Sequence, residues 1–324
     1  MLRRSLLGGL SGLPMLAIRP AQAATYPDRP VRIVVPFAPG GISDLVARVV
    51  ASSLSTRLGK AVVVENRPGG AAGILGTEYV ARSTPDGYTL LLGSPGSLTV
   101  GPHLYPGLNY DTLRDFAPVS RLVTTDFVLV VHPSFPATTP REYAAYAKAH
   151  PGQVTYASAG LGSTSHLFGA WFALMAGLDL MHVPYRGAGP AANDLVAGVV
   201  NSAFDQVPSS IGHVQGGRLR ALATSGAQRS RMMPDVPTMA ESGFPDYVGG
   251  TWVSLLAPAG TPAEIVEVLN GHVVATLGED TVRERLAALG ADAAPTTAAG
   301  MLQILRSELQ SWGDLVRRAN IRVD

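Results

Sequence analysis

Apolar and polar positions along the chain fall into short apolar runs, each followed by a segment striped at helical period. RIVVPF (32–37), AVVVEN (61–66) and YTLLLG (88–93) read as buried strands. After the first, Ile42, Leu45, Val46, Val49, Val50, Leu54 and Leu58 recur at helical spacing up to Gly59, which predicts a helix and its stop. A further helix is expected from about Ala72 to Arg82. Past an irregular stretch from Ser94 to Pro118 the pattern restarts with LVTTDFVLVVHP, a helix from Pro140 to His150 and the strand VTYASAG. The helix behind it carries Leu167, Phe168, Trp171, Phe172, Leu174, Met175 and Leu178. LMHVPY, a helix near Pro190 to Ala197, NSAFDQV and LRALATSG follow. Strands alternating with helices predict parallel sheets covered on both faces.

The tail from Ala298 to Asn320 is amphipathic, with Met301, Leu305, Leu309, Trp312 and Val316 on its apolar face, and should pack across the domains. Thr139 with Pro140 and Glu142, Thr261 with Pro262 and Glu264, and Thr281 with Glu284 read as capping boxes at helix starts. Two apolar runs, LVTTDFVLVVHP near residue 126 and VGGTWVSLLAPAG near residue 252, are candidate crossovers. If both cross, the chain makes a discontinuous first lobe (24–125 and 250–324) and an inserted second lobe (126–249), joined by a hinge.

Two glycine turns carry the candidate chemistry. PFAPGGISD (36–44) and SAGLGSTSH (158–166) each follow a strand and open a helix, so each presents unpaired amides and the positive end of a helix dipole. Together they suggest an anion held between two lobes. Gly40 and Gly41 read equally as a ligand loop or as a tight strand-to-helix turn. Asp44 falls in the first helical turn, where a carboxylate bonds loop amides, or meets an ammonium group if the ligand has one. Ser163, Thr164 and Ser165 supply more hydroxyls than one cap needs, which favours ligand contact. His166 reads as a base, a ligand group or a satisfied hydrogen-bonding residue. Phe37, Tyr185 and Asp205 stand at predicted strand ends, where ligands of such sheets gather. The glycines at 70, 73 and 76 suit close helix packing.

Composition narrows the classes. The 324 residues are 46% hydrophobic and 15% charged, enough for two ordinary cores and too little charge for a disordered chain. A net charge of +1 without a basic stripe argues against nucleic acid. The sequence has no cysteine, hence no disulfide scaffold, thiolate metal site or thiol nucleophile. Residues 1–23 read as an export signal: Arg3 and Arg4, an apolar stretch from Leu6 to Ile18 too short to span a bilayer, and a small-residue end at Ala23. There is no HxH or HExxH for a metal, no GxSxG, no phosphate loop and no complete dinucleotide fingerprint, so neither a cofactor nor a catalytic constellation is expected.

Taken in order, YPDRPVRIVVPFAPGGISDLVAR, VVVENRPGGAAG, ARSTPDGYTLLLG, YASAGLGSTSHL, HVPYRG, FDQVPSS, LRALATSG, DVPTMAESG and LLAPAGTP resemble the Bug family, the extracytoplasmic solute receptors of tripartite tricarboxylate transporters. The resemblance covers essentially all of the mature chain. It implies a two-lobed Venus-flytrap fold of the α/β class, a small carboxylate ligand, delivery to a membrane permease, and a monomer in the periplasm. Implied contacts are Phe37, Pro39, Gly40, Gly41 and Asp44 on one side and Gly162, Ser163, Thr164, His166 and Asp205 on the other. Where family members often read GTxGTHAxNP, this chain has Gly93, Ser94, Pro95, Gly96, Ser97 and Leu98; Ser94 remains a candidate contact. Two other classes stay open: a receptor feeding a membrane sensor kinase, and an enzyme acting on carboxylates.

Overall fold

In a computed structural model, which describes residues 26–69 and 71–323, the strand and helix pattern resolves into one curled sheet covered by helices. The expected export signal lies outside the described residues. Strand β1 (Val31–Val35) pairs in parallel with β2 (Val62–Asn66) and β3 (Thr89–Gly93), joined by helices α1 (Ile42–Leu58) and α2 (Ile74–Ala81). The apolar stripe of α1 turns Val46, Val50 and Leu54 onto Ile33 and Leu90, all fully buried. Gly76 belongs to a close approach of α2 to the backbone: a Cβ there would stand 2.7 Å from the Arg67 carbonyl and 2.8 Å from Pro36 Cβ.

The stretch from Ser94 to Pro118 is less irregular than its sequence suggests. Gly96–Val100 forms a π-helical turn that runs into a short helix α3 (Gly101–Leu104). Strand β4 (Phe116–Val131) is longer than the apolar run that announced it, and it changes partners along its length. From Phe116 to Asp126 it pairs antiparallel with β9 (Gly250–Pro258); from Phe127 to Val131 it pairs with β7 (Ser202–Gln206) and β8 (Arg220–Thr224). β7 continues in parallel to β5 (Val154–Ser158) and β6 (Leu180–Pro184). The eight-strand path therefore runs β2-β1-β3-β9-β4-β7-β5-β6.

Helices α4 (Pro140–Ala149), α5 (Thr164–Ala176), α6 (Ala188–Val196) and α7 (Val207–Gln215) serve the second group of strands. Helix α7 was not anticipated. A stack of Phe127 on Phe168, ring centres 4.2 Å apart, marks the core there. Helices α8 (Ala263–Leu277) and α9 (Asp280–Ala288) return to the first group, and a short strand β10 (Asp292–Ala293) pairs with β4. The final helix α10 (Ala298–Arg318) lies across both groups: Met301 and Leu305 pack with Val34 and Leu91, whereas Trp312 and Val316 pack with Phe127 and Phe168.

Two capping expectations need correction. Thr139 does cap α4, accepting the Glu142 amide. Thr261, however, donates its hydroxyl to the Pro258 carbonyl and leaves α8 without a side-chain cap. Thr281 lies inside α9, whose flanking residue is Glu279.

Candidate functional site

The two glycine turns meet at one cleft of about 680 Å³. Ile42 and Ser43 at the start of α1 face Ser163 and Thr164 at the start of α5 across it. Its wall includes Phe37, Ser94, Tyr105, Leu161, Gln206 and Trp252. Among the described residues, no lysine, arginine, histidine, aspartate or glutamate side chain lines it. The surface offers backbone amides, neutral hydroxyls and apolar rings.

The turns are built differently. At the first, Gly41 flanks α1 with no side-chain cap, and Asp44 fills that role from inside the helix. Its carboxylate is 2% exposed and takes the Gly40 N–H at 2.9 Å, Arg48 Nε at 3.0 Å and Asn66 Nδ2 at 2.9 Å. The Arg48 guanidinium, helped by the Gly40 amide and Asn66, holds the Asp44 carboxyl down to about 2 against the effect of burial. Asp44 is thus ionised and fully engaged at the head of α1. Ile42 and Ser43, whose amides a helix start leaves without internal partners, line the cleft with that negative charge in the same turn.

At the second turn, Ser163 caps α5 by accepting the His166 amide at 3.3 Å, and Ser165 Oγ accepts the Ala159 N–H at 3.0 Å. No acidic residue occupies the first turn of α5. The amides of Thr164 and Ser165, which a helix leaves without internal partners, find no acceptor among the described residues. Gly162 adopts a φ of 71°, a conformation that favours glycine. Its N–H donates to His166 Nδ1 at 3.1 Å, so this nitrogen is unprotonated.

Beneath that turn His166 and His182 stack with ring centres 3.8 Å apart and planes 5° from parallel, and His182 stacks on Tyr156 in turn. His182 Nε2 lies 2.7 Å from Ser158 Oγ, which itself accepts the Gly160 N–H. Burial lowers His166 to about 4 and, with the neighbouring ring, His182 to about 3. Both imidazoles are neutral near pH 7.

Of the residues singled out in the sequence, Phe37, Ser94, Gly162, Ser163 and Thr164 line the cleft. Pro39, Gly40 and Gly41 are exposed on the first turn, outside the lining. Asp44 and His166 are buried supports behind the two turns. Asp205 accepts the hydroxyls of Ser209 and Ser210, at 2.6 and 2.9 Å, and its neighbour Gln206 reaches the cleft instead. Tyr185 donates to Asp194 at 2.7 Å. Tyr105, Leu161, Gln206 and Trp252 were not anticipated. Trp252 stood in a run read only as a crossover, and Tyr105 in a stretch without periodicity.

Behind β4 and β9 lies a second cavity of about 690 Å³, where Arg121, Asp126 and Glu308 converge. Thr251 and Trp252 line both this cavity and the cleft. The Glu308 carboxylate accepts Trp252 Nε1–H at 2.7 Å and the Thr99 hydroxyl at 3.0 Å; burial raises the Glu308 carboxyl above its ordinary value. A larger open groove on the outer surface is built from charges already paired, Arg29 with Asp86, Arg32 with Glu65 and Arg82 with Glu78. Among the described residues no cluster of three or more potential ligands could hold a metal ion, and no helix is long and apolar enough to cross a membrane.

Comparison with known proteins gives a consistent picture. Residues 46–321 match the profile described as "Tripartite tricarboxylate transporter family receptor". Protein BugT of Bordetella pertussis is 41% identical over 305 residues, 94% of this chain and 93% of that protein. Among solved structures, R. palustris Rpa4515 with adipate is 35% identical with a TM-score of 0.79, covering 92% of this chain and 99% of that one. The periplasmic binding protein BugD is 35% identical with a TM-score of 0.75, at the same coverages.

Proposed function

The chain belongs to the tripartite tricarboxylate transporter receptor family, and we propose on that premise that it captures a small carboxylate in the cleft between its glycine turns and hands it to a permease of that class. It is a periplasmic solute-binding receptor, whose role is binding and delivery rather than turnover. The observation that carries the reading is the convergence of two helix starts, α1 and α5, on one cleft free of charged side chains. Rpa4515, solved with adipate, supports a carboxylate as the ligand.

Capture is a hinge motion of two lobes, 24–125 with 250–324 against 126–249. The change of β4 partners between Asp126 and Phe127, and the start of β9 at Gly250, support these boundaries. The receptor works as a monomer, and its leader is removed after about Ala23. A micromolar affinity requires about 8 kcal/mol. Charge-assisted hydrogen bonds contribute roughly 1.5–3 kcal/mol each, and a helix start up to about 2 kcal/mol. A few amides and hydroxyls from both turns suffice, even against the cost of closure.

The test is Gly41→Glu. Gly41 sits at a φ of −76° with nothing nearer than 3.9 Å to an added Cβ, so the variant folds while placing a negative charge at the mouth of the cleft. Carboxylates that raise the melting temperature of the wild type should not raise that of the variant. An unchanged response would remove the first turn from the site.

A further inference from the structure

We infer that Glu308, a residue of α10 outside the cleft lining, is a positioning residue for ligand capture: its carboxylate clamps two separate stretches of the cleft wall in the arrangement the ligand meets. The inference rests on the receptor reading above and adds to it a determinant that does not touch the ligand.

The clamp uses both carboxylate oxygens. Oε1 accepts the Trp252 indole N–H at 2.7 Å, and Oε2 accepts the Thr99 hydroxyl at 3.0 Å. Both oxygens belong to one planar group, so the indole and the stretch around Thr99 keep a fixed separation. These stretches have no ladder to hold them together. Strands β3 and β9 stay paired as far as Gly93 and Ser254, and the residues just past that point line the cleft: Ser94 and Gly96 from one segment, Trp252 and Val253 from the other. Thr99 lies in the π-helical turn Gly96–Val100, which lacks the regular bonding of an α-helix. Side chains meet its carbonyls: the Tyr110 hydroxyl donates to Ser97 at 2.7 Å and the Thr112 hydroxyl to Leu98 at 2.6 Å. The next residue of α10 fastens the next piece. His103 Nε2 lies 2.7 Å from the Leu309 carbonyl, and α3, so anchored, delivers Tyr105 to the wall. Stability alone does not account for an acid at this place. Arg121, the cation of the same cavity, gives its Nε to the Ala294 carbonyl at 2.9 Å, and Glu308 makes no ion pair among the described residues. Burying a carboxylate without a paired counter-charge costs the fold, which an apolar side chain of similar size would avoid. What the acid supplies is two acceptors at set positions.

Isothermal titration of the mature protein with adipate and with malate, well below every melting transition, tests this in Glu308→Ala and Glu308→Gln. Glu308→Ala should weaken binding about tenfold, whereas Glu308→Gln should stay within about threefold of the wild type. The amide keeps a carbonyl for the indole, and the Thr99 hydroxyl can turn round to accept from its NH2 group. Thr99→Val removes one arm alone; it should weaken binding about threefold in the wild type and add nothing in Glu308→Ala. A second measurement needs no ligand. With Trp171 and Trp312 replaced by phenylalanine, acrylamide quenching of Trp252 should rise at least about twofold in Glu308→Ala, as the freed indole samples other rotamers, and stay unchanged in Glu308→Gln. Unchanged affinity in folded Glu308→Ala, or equal losses in the alanine and glutamine variants, would overturn the positioning role while the carboxylate receptor stands. If the wild type binds neither acid, the receptor reading loses its support, and quenching still decides the clamp: equal quenching in Glu308→Ala and the wild type would overturn it.

Discussion

Replacing His166 by leucine removes the support beneath the second glycine turn while nearly conserving volume. The Gly162 N–H loses its acceptor at 3.1 Å, and the stack on His182 at 3.8 Å loses one ring. A stranded, half-buried amide costs about 1–2 kcal/mol, and the lost ring contact about 0.5–1.5 kcal/mol. Leucine should therefore destabilise the fold by about 2–3 kcal/mol and weaken carboxylate binding about tenfold or more. Asparagine, whose Oδ1 can stand where Nδ1 accepts, should restore most of the affinity. The pH dependence supplies an independent check. His166 titrates near 6.5 when unfolded and near 4 when folded, so the unfolded chain binds more protons between those values. Stability is complete above about pH 6.5 and falls as pH drops toward 4, by about 1.4 kcal/mol per pH unit for each such histidine. His182 follows the same sign down to about pH 3. Urea denaturation at pH 7 and pH 5, with binding titrations at pH 7, measures all of this. The leucine variant should lose one proton's worth of slope. Wild-type affinity together with an unchanged slope would refute the role assigned to His166.

Two further outcomes follow from the packing. Gly76→Ala should destabilise by about 1–3 kcal/mol in urea, because its Cβ would meet the Arg67 carbonyl at 2.7 Å; a gain in stability, as intrinsic helix preference alone would give, would contradict the close approach. Glu308→Ala should cost about 2 kcal/mol by stranding Trp252 Nε1 and the Thr99 hydroxyl, and Glu308→Gln less, since its carbonyl still accepts from the indole; equal losses in the two variants would contradict it.

The strands and the long helices were legible because parallel strands buried on both faces read as continuous apolar runs, and α1, α5 and α10 carry clear stripes. Helix α7 was not, since VPSSIGHVQ is short, polar and broken by glycine. The helical segment from Gly96 to Leu104 has a π turn, which breaks the usual period. Thr261 and Thr281 resembled caps because threonine before an acidic residue fits several local bonds, and only the chain path decides which one forms. At the site, the glycine turns were visible because their chemistry is local. Tyr105 and Trp252 were invisible as lining residues because α3 and β9 bring them there from distant sequence. Asp205 and Gln206 illustrate a strand's period of two: adjacent residues face opposite sides, and the sequence alone names the pair without choosing between them.

The sequence has only three tryptophans, and one of them, Trp252, forms part of the cleft wall while bonded to Glu308 behind it; the others, Trp171 and Trp312, meet edge to face at 6.2 Å beside the same glutamate. Light absorbed by Trp252 is consequently emitted from the cleft wall, whereas Trp171 and Trp312 report from the cavity behind it. Occupancy can be followed by intrinsic fluorescence in the unlabelled protein, and with Trp171 and Trp312 replaced by phenylalanine the remaining signal would come from the wall alone.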